Sequence, residues 1–150
     1  MTMKGIKKYL FMLMELAAVF GFVACSDNDD DDYVPLPMAV YKADATNDEE
    51  TLIYTLTFLS NGSFTISEYW KDKEDPYSYP ETYLTYMGTY TGKPAEDGEI
   101  VMTITHLLND YDLLAPVPEE MKEYLSDMKV TISNSKFTLP FVWMAEFVKQ

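Results

Sequence analysis

The amino-acid sequence predicts a mainly β domain, arranged as an antiparallel meander of seven or eight strands with one short helix near residues 118–128. Residues 51–59 alternate between apolar and polar side chains, the pattern of a strand with one buried face. Turn signals such as Ser60-Asn61-Gly62 separate the apolar segments. Such a meander removes its unpaired edges best by curling into a barrel, and an open sandwich is the alternative fold.

The first hairpin has a register that the sequence predicts. Leu56 and Phe58 share the apolar face of one strand, and Phe64 and Ile66 share that of the next. Opposed residues must lie on the same face, which excludes a two-residue loop. A three-residue loop pairs Phe58 with Phe64 and Leu56 with Ile66, and it requires Gly62 in the left-handed conformation of a type I turn followed by a bulge.

The remaining β elements follow from the same alternation and from their turn residues. In the next hairpin we expect Tyr90 to oppose Ile100 and Gly88 to oppose Met102, with the glycine making room for the methionine. A polar loop at 71–82 and a connection at 107–117 separate some of these strands. The further strands are expected at 38–42, 83–91, 99–106, 129–133, 136–139 and 142–148, the last with Trp143, Ala145 and Phe147 on one side.

A helix is expected to begin at Pro118, because Glu119 and Glu120 then occupy its first turn. Its apolar residues have the i, i+3, i+4, i+7 spacing of one buried stripe. This stripe consists of Met121, Tyr124, Leu125 and Met128.

The turn after the helix is expected to be Asn134-Ser135, a two-residue loop. A loop of this length pairs Ile132 with Phe137 and Val130 with Leu139, so that apolar residues oppose each other on one face.

Residues 1–24 have the three parts of a signal peptide. Basic lysines come first, an apolar segment interrupted by Glu15 follows, and small Ala24 stands directly before Cys25. The apolar segment is short for a permanent span, which needs about 20 residues. The sequence therefore predicts a signal peptide at 1–24, a flexible tether at 25–37 and a single β domain at 38–150.

The segment Phe22-Val23-Ala24-Cys25 resembles the lipobox of bacterial lipoproteins. The resemblance implies cleavage before Cys25 and attachment of lipid to its thiol, so that the membrane is a partner through this lipid. Residues 26–32, a serine followed by mostly aspartates, resemble the stretch that marks surface-exposed lipoproteins in some anaerobic Gram-negative bacteria. We therefore expect an exported protein in the outer membrane, displayed at the cell surface, with a periplasm-facing orientation as the alternative.

The charge of the chain narrows the range of partners. Removing residues 1–24 takes three lysines and Glu15 from 11 basic and 25 acidic residues, which leaves 8 and 24 and a formal charge of −16. The chain contains no arginine. Nucleic acids and anionic surfaces are therefore poor partners, because they are bound by clustered basic residues. We expect a monomeric domain.

The sequence contains few residues suited to catalysis or to metal binding. His106 is the single histidine and Cys25 the single cysteine, and no phosphate-binding or dinucleotide-binding motif is present. Carboxylate pairs such as Asp110 and Asp112 or Glu96 and Asp97 have the residue types of a glycoside hydrolase, but pairs arise readily in so acidic a chain. We predict no enzyme, no cofactor and no metal site.

Residues 50–150 resemble small lipocalin-like secreted β domains in their hairpin segments, among them 57–65, 88–92 and 130–139. The resemblance implies a barrel that binds a small ligand. Aromatic residues around the loop at 71–82 suit the recognition of a glycan, a peptide or a small apolar ligand, preferably neutral or cationic. The candidate ligand-binding residues are Tyr69, Trp70, Tyr77, Tyr79 and Tyr83.

Two other classes of function remain open at this point. An accessory or structural lipoprotein would act through contact with a protein at the surface. Tyrosine also favours strands, so the rings near the loop are equally consistent with packing on one another. A hydrolase is the third hypothesis, and it would need two convergent carboxylates together with His106.

Overall fold

The structure is a computed structural model and describes residues 34–109, 113–139, 142 and 145–150. The chain divides into two units, Met1–Leu36 and Pro37–Gln150, of which the second is the β domain. Its described residues form nine strands and one helix. These are β1 (Pro37–Asp44), β2 (Glu50–Leu59), β3 (Ser63–Asp72), β4 (Glu81–Thr91), β5 (Gly98–Leu108), β6 (Leu114–Pro116), α1 (Glu119–Leu125), β7 (Met128–Ile132), β8 (Lys136–Thr138) and β9 (Glu146–Lys149).

The strands form one antiparallel sheet in the order β6-β5-β4-β3-β2-β1-β9-β8, with β7 also paired to β5. The prediction of a closed barrel is wrong, and an open meander or sandwich fits instead. Closure would require a ladder between β7 and β8, but within the described residues these strands share a single bridge, Ser133 to Lys136. Beyond this bridge the described ladder of β7 is with β5, and that of β8 is with β9.

The β2–β3 hairpin confirms the predicted register. Phe58 opposes Phe64 and Leu56 opposes Ile66. The Gly62 amide donates to the Leu59 carbonyl at 3.1 Å, which closes the type I turn, and Gly62 has a φ of 81°. The hairpin could be predicted because face parity and turn chemistry agree there.

One face of the sheet, called the inner face below, carries the core. Phe58, Phe64 and Met102 fill it and have no exposed surface. The Tyr41 ring contacts the Phe137 ring with centroids 4.9 Å apart, and its hydroxyl donates to the Pro94 carbonyl at 2.6 Å. Contacts of this kind join β1 to β8, which lie two strands apart in the sheet.

The predicted β4–β5 register is wrong by two residues. Tyr90 opposes Met102 and Gly88 opposes Ile104. A shift of two residues keeps every side chain on its original face, so parity could not detect it. The space at Gly88 is taken by Phe64 and not by Met102, since a Cβ built there would lie 2.6 Å from Phe64 Cζ.

The Asn134-Ser135 turn is a two-residue loop, as predicted. The two residues have φ angles of 53° and 60°. The bridge between Ser133 and Lys136 has the predicted register. Within the described residues no ladder continues it to the predicted pairs, and the recorded partners of Val130 and Phe137 are Ile100 of β5 and Phe147 of β9.

Helix α1 is shorter than predicted, and the prediction of a buried stripe is wrong. Leu125 is the buried residue of the helix, whereas Tyr124 is exposed and Met121 is 41% exposed. Met128 lies in β7 instead of in the helix. No helix among the described residues is long and apolar enough to span a membrane.

The boundaries of several other elements differ from those predicted. Strands β3 and β4 extend into the expected loop, which shortens it to 73–80, and the connection at 107–117 contains β6. Strand β9 begins only at Glu146, although Val142 is buried. Trp143, Cys25 and the rest of residues 1–33 lie outside the described residues.

Candidate functional site

The five aromatic residues predicted to bind a ligand lie in three different environments. Tyr77 and Tyr79 belong to the loop 73–80, with 84% and 79% of their surface exposed. Tyr69 lies on the outer face of β3. Trp70 lies on the inner face, because it follows the inward-facing Ile66 by four residues and Phe64 by six, and alternate residues of a strand share a face. Tyr83 on β4 also faces inward. The predicted cluster is therefore divided between a loop and two faces of the sheet.

A β-bulge brings Tyr83 to the inner face. Ile66 opposes Tyr86, but the next residue of β3 opposes Leu84, so Thr85 is an extra residue on β4. The Thr85 hydroxyl donates to the Ile66 carbonyl at 2.9 Å. Residues three apart normally lie on opposite faces of a strand, and the extra residue places both Tyr83 and Tyr86 inward.

Glu68 lies on the inner face, between a tyrosine of each neighbouring strand. It directly opposes Tyr83 on β4 and Tyr54 on β2. Burial raises the pKa of the Glu68 carboxyl, a hydrogen bond with the Tyr54 side chain lowers it, and the charge of Glu50 raises it further, with a net upward shift. A glutamate in such surroundings is costly to keep ionised without a cation beside it.

Trp70 is held by a second carboxylate. Its indole Nε1 donates to Glu50 Oε2 at 2.5 Å. Glu50 opposes Asp72 at the end of the β2–β3 ladder. We call the inner-face set of Glu50, Tyr54, Glu68, Trp70 and Tyr83 the acid–ring face.

A cleft of about 280 Å³ is lined by residues of β4, β5 and α1. Tyr86 belongs to its wall and also lies within electrostatic reach of Glu68, since burial and the charge of Glu68 both raise the pKa of the Tyr86 phenol. The cleft therefore continues the acid–ring face toward β5 and α1. The residues that line it are Thr85, Tyr86, Leu107, Leu108 and Met121.

The described lysines do not neutralise this site. Their ion pairs with glutamates lie elsewhere: Lys93–Glu96, Lys122–Glu119, Lys129–Glu99 and Lys136–Glu146. Within the described part of the chain, the polar contacts of the Glu50 and Glu68 carboxylates are made by uncharged groups, namely Asn47, Trp70 and Tyr54.

His106 lies away from the cleft. It opposes Met87, whereas the neighbouring Leu107 opposes inward-facing Tyr86. Its Nδ1 is 3.0 Å from the Thr105 hydroxyl. Within the described ranges, no group of three or more histidine, cysteine, aspartate or glutamate residues is placed to hold a metal ion.

The carboxylate pairs that the sequence offered have other surroundings. Glu96 pairs with Lys93 at 3.3 Å. Asp97 accepts hydrogen bonds from the Asn134 and Ser135 amides at 2.8 and 3.0 Å, so it fixes the β7–β8 turn. Asp110 and Asp112 lie outside the described residues.

The prediction missed several residues of this site, among them Glu50, Glu68 and Tyr86. A signal was available, because Glu68 follows Phe64 and Ile66 at spacings of two and therefore occupies the apolar face of its strand. The contribution of Tyr54 follows from the same register. The position of Tyr83 depends on the bulge at Thr85, for which the local sequence carries no distinctive turn residue.

Comparisons with protein-family models, with curated proteins and with solved structures found no match to this chain.

Proposed function

We propose that this protein is an exported lipoprotein whose β domain binds a small neutral or cationic ligand in the cleft beside the acid–ring face. The observation that carries the proposal is the position of Tyr86, which joins an apolar cleft to a half-buried carboxylate. Small-ligand sites characteristically combine apolar walls with a few polar groups that orient the ligand.

The cleft offers both kinds of contact. Leu107, Leu108 and Met121 supply apolar surface. The Thr85 hydroxyl donates to the Ile66 carbonyl and remains able to accept a hydrogen bond, and Tyr86 adds a polar ring. Its volume of about 280 Å³ is close to the lower end of the range of roughly 300 to 1,000 Å³ for ligand sites. A ligand of metabolite size, or the end of a larger glycan or peptide, is therefore the occupant that fits.

A test compares two substitutions on the same helix. Met121→Trp places a large ring against the cleft, whereas Tyr124→Trp changes a residue that is 76% exposed. We expect calorimetric screening of small neutral and cationic molecules to identify a ligand that the wild type and Tyr124→Trp bind and that Met121→Trp does not. Equal affinity in all three proteins would contradict binding in the cleft.

The anchoring part of the proposal concerns Cys25. The basic, apolar and small-residue order before it supports lipidation, and the acidic residues after it support display at the surface. Metabolic labelling with a fatty acid should mark the wild type and not Cys25→Ser. Equal labelling would exclude lipidation at this thiol, and it would leave the ligand site unaffected.

A second candidate function is contact with a protein or a glycan through the loop 73–80. Tyr77 and Tyr79 favour it, because both rings are largely exposed. Such rings supply apolar area and a polar hydroxyl at once. Loss of partner binding in Tyr77→Ser and Tyr79→Ser, with the cleft ligand retained, would identify this second surface.

A further inference from the structure

Resting on the proposed function, we propose that the ligand is an amphiphilic organic cation, with its ammonium group beside Glu68 and its apolar part in the cleft lined by Leu107, Leu108 and Met121. The proposal names the chemical class of the ligand. It depends on three features of the site that meet at Tyr86: an uncompensated carboxylate, flanking rings and an apolar cleft.

The charge of the site selects a cation. Glu68 is half-buried, its neighbour Glu50 is also acidic, and the polar contacts of both carboxylates within the described chain are made by uncharged groups. An anionic ligand would add repulsion to a site that is already negative. An ammonium group would supply the opposite charge that the described lysines do not place there.

The rings around Glu68 suit an organic ammonium. Tyr83 directly opposes Glu68, and Trp70 lies two residues further on the same face of β3. Aromatic faces attract cations within about 6 Å of the ring centre, and rings grouped in this way recognise alkylated ammonium groups. The hydrogen bond from Trp70 to Glu50 and that between Tyr54 and Glu68 hold the indole and the carboxylate in place before a ligand arrives.

The cleft requires an apolar part in the same ligand. A volume of about 280 Å³ is room for roughly nine water-sized groups at about 30 Å³ each. Its leucine and methionine walls would gain little from a small hydrated cation but would bury a short alkyl chain. Tyr86 stands at the boundary, because it belongs to the cleft wall and opposes Ile66, the inward-facing residue of β3 that directly precedes Glu68 on that face.

The experiment measures three ligands of equal chain length by calorimetry: hexyltrimethylammonium, 1-hexanol and hexanoate. We expect the wild type to bind the cation at least roughly tenfold more tightly than the alcohol, because the opposite charge of Glu68 and the aromatic rings attract a trimethylammonium group by at least about that factor. Hexanoate should bind most weakly. Glu68→Gln should reduce the affinity for the cation roughly tenfold, through loss of the charge attraction, and leave that for 1-hexanol unchanged.

Glu99→Gln is the matched control, because Glu99 is an exposed glutamate near the far end of β5 from the cleft. It should leave all three affinities unchanged. If 1-hexanol binds as tightly as the cation and Glu68→Gln has no effect, the cationic class is wrong while the cleft remains a binding site. If none of the three binds, the inference fails, and the wider screen with Met121→Trp then decides the proposed function separately.

Discussion

Gly88→Ala should destabilise the domain strongly, for a reason that is purely steric. Gly88 lies in β4 and is not among the residues with positive φ, so alanine suits its backbone conformation. A Cβ there would lie 2.1 Å from the Thr103 carbonyl oxygen and 2.6 Å from Phe64 Cζ. Carbon and oxygen atoms in close contact are about 3.3 Å apart. The β4 and β5 backbones would therefore have to separate by roughly 1 Å.

The separation of the two strands determines how much stability Gly88→Ala should lose. Backbone hydrogen bonds near 2.9 Å would lengthen beyond the usual limit of about 3.2 Å. Each bond lost costs about 0.5 to 1.5 kcal/mol, and forcing an extra carbon into a packed core costs about 1 to 3 kcal/mol. We expect a loss of about 3 kcal/mol in the free energy of unfolding, which is a large part of the 5 to 15 kcal/mol typical of a domain.

Urea unfolding measures this loss. With a slope of about 1.5 kcal/mol per molar, the midpoint of Gly88→Ala should fall by roughly 2 M. Thr89→Ala is the control, because Thr89 is the exposed neighbour on the same strand and its replacement should change the midpoint little. Phe64→Leu combined with Gly88→Ala should restore only part of the loss, since the Thr103 carbonyl remains in place. Equal midpoints for Gly88→Ala and Thr89→Ala would refute the steric explanation.

Three further predictions concern Gly62 in the β2–β3 turn, Asp97 beside the β7–β8 turn and Glu68 on the inner face. Gly62→Ala should cost about 1 kcal/mol through left-handed strain and not through a clash, because a Cβ at this position would lie an ordinary 3.7 Å from the Tyr90 carbonyl oxygen. Gly62→Asn should cost less by urea unfolding, and equal losses would argue against strain. Backbone hydrogen bonds lower the pKa of the Asp97 carboxyl, so the stability that it adds to the folded domain should be present above about pH 3.9 and be lost as the pH falls through the lowered pKa. Asp97→Asn should have a lower thermal midpoint than the wild type at pH 7, and an unchanged midpoint would show that Asp97 does not stabilise the β7–β8 turn. Burial raises the pKa of the Glu68 carboxyl, so the free energy of unfolding should fall as the pH rises from about 4.3 through the raised pKa. Glu68→Gln should remove this decline. Identical pH profiles of stability in the wild type and Glu68→Gln would show that Glu68 does not cause it.

Local patterns predicted the β2–β3 hairpin correctly, and the same patterns failed two strands later. In the hairpin, a three-residue loop with Gly62 at φ 81° was the solution that parity allowed. Between β4 and β5 the loop is longer, and registers two residues apart satisfy parity equally. In the register that forms, Gly88 opposes Ile104, and the space beside Gly88 is filled by Phe64 of β3, a residue outside that hairpin.

The helix shows the same limit. The spacing of Met121, Tyr124 and Leu125 describes which residues share a side of α1, but not whether a neighbouring element covers that side. In the structure Leu125 is covered, Tyr124 is exposed, and Met121 lies at the cleft. Periodicity therefore predicted an element, whereas packing against the sheet determined which of its residues are buried.

The β class, the alternation that separates the two faces and the β2–β3 register could all be predicted from the sequence, because they depend on residues close together in the chain. The open sheet was decided by pairing between distant segments: among the described residues β7 forms its ladder with β5 and β8 forms its ladder with β9, and a single bridge joins the two at their turn. The tertiary structure also decided the candidate site. Glu68, Tyr83 and Tyr86 come together through a bulge at Thr85 and through the pairing of β3 with β4, and the energies that favour this arrangement arise only when both strands and the helix have packed.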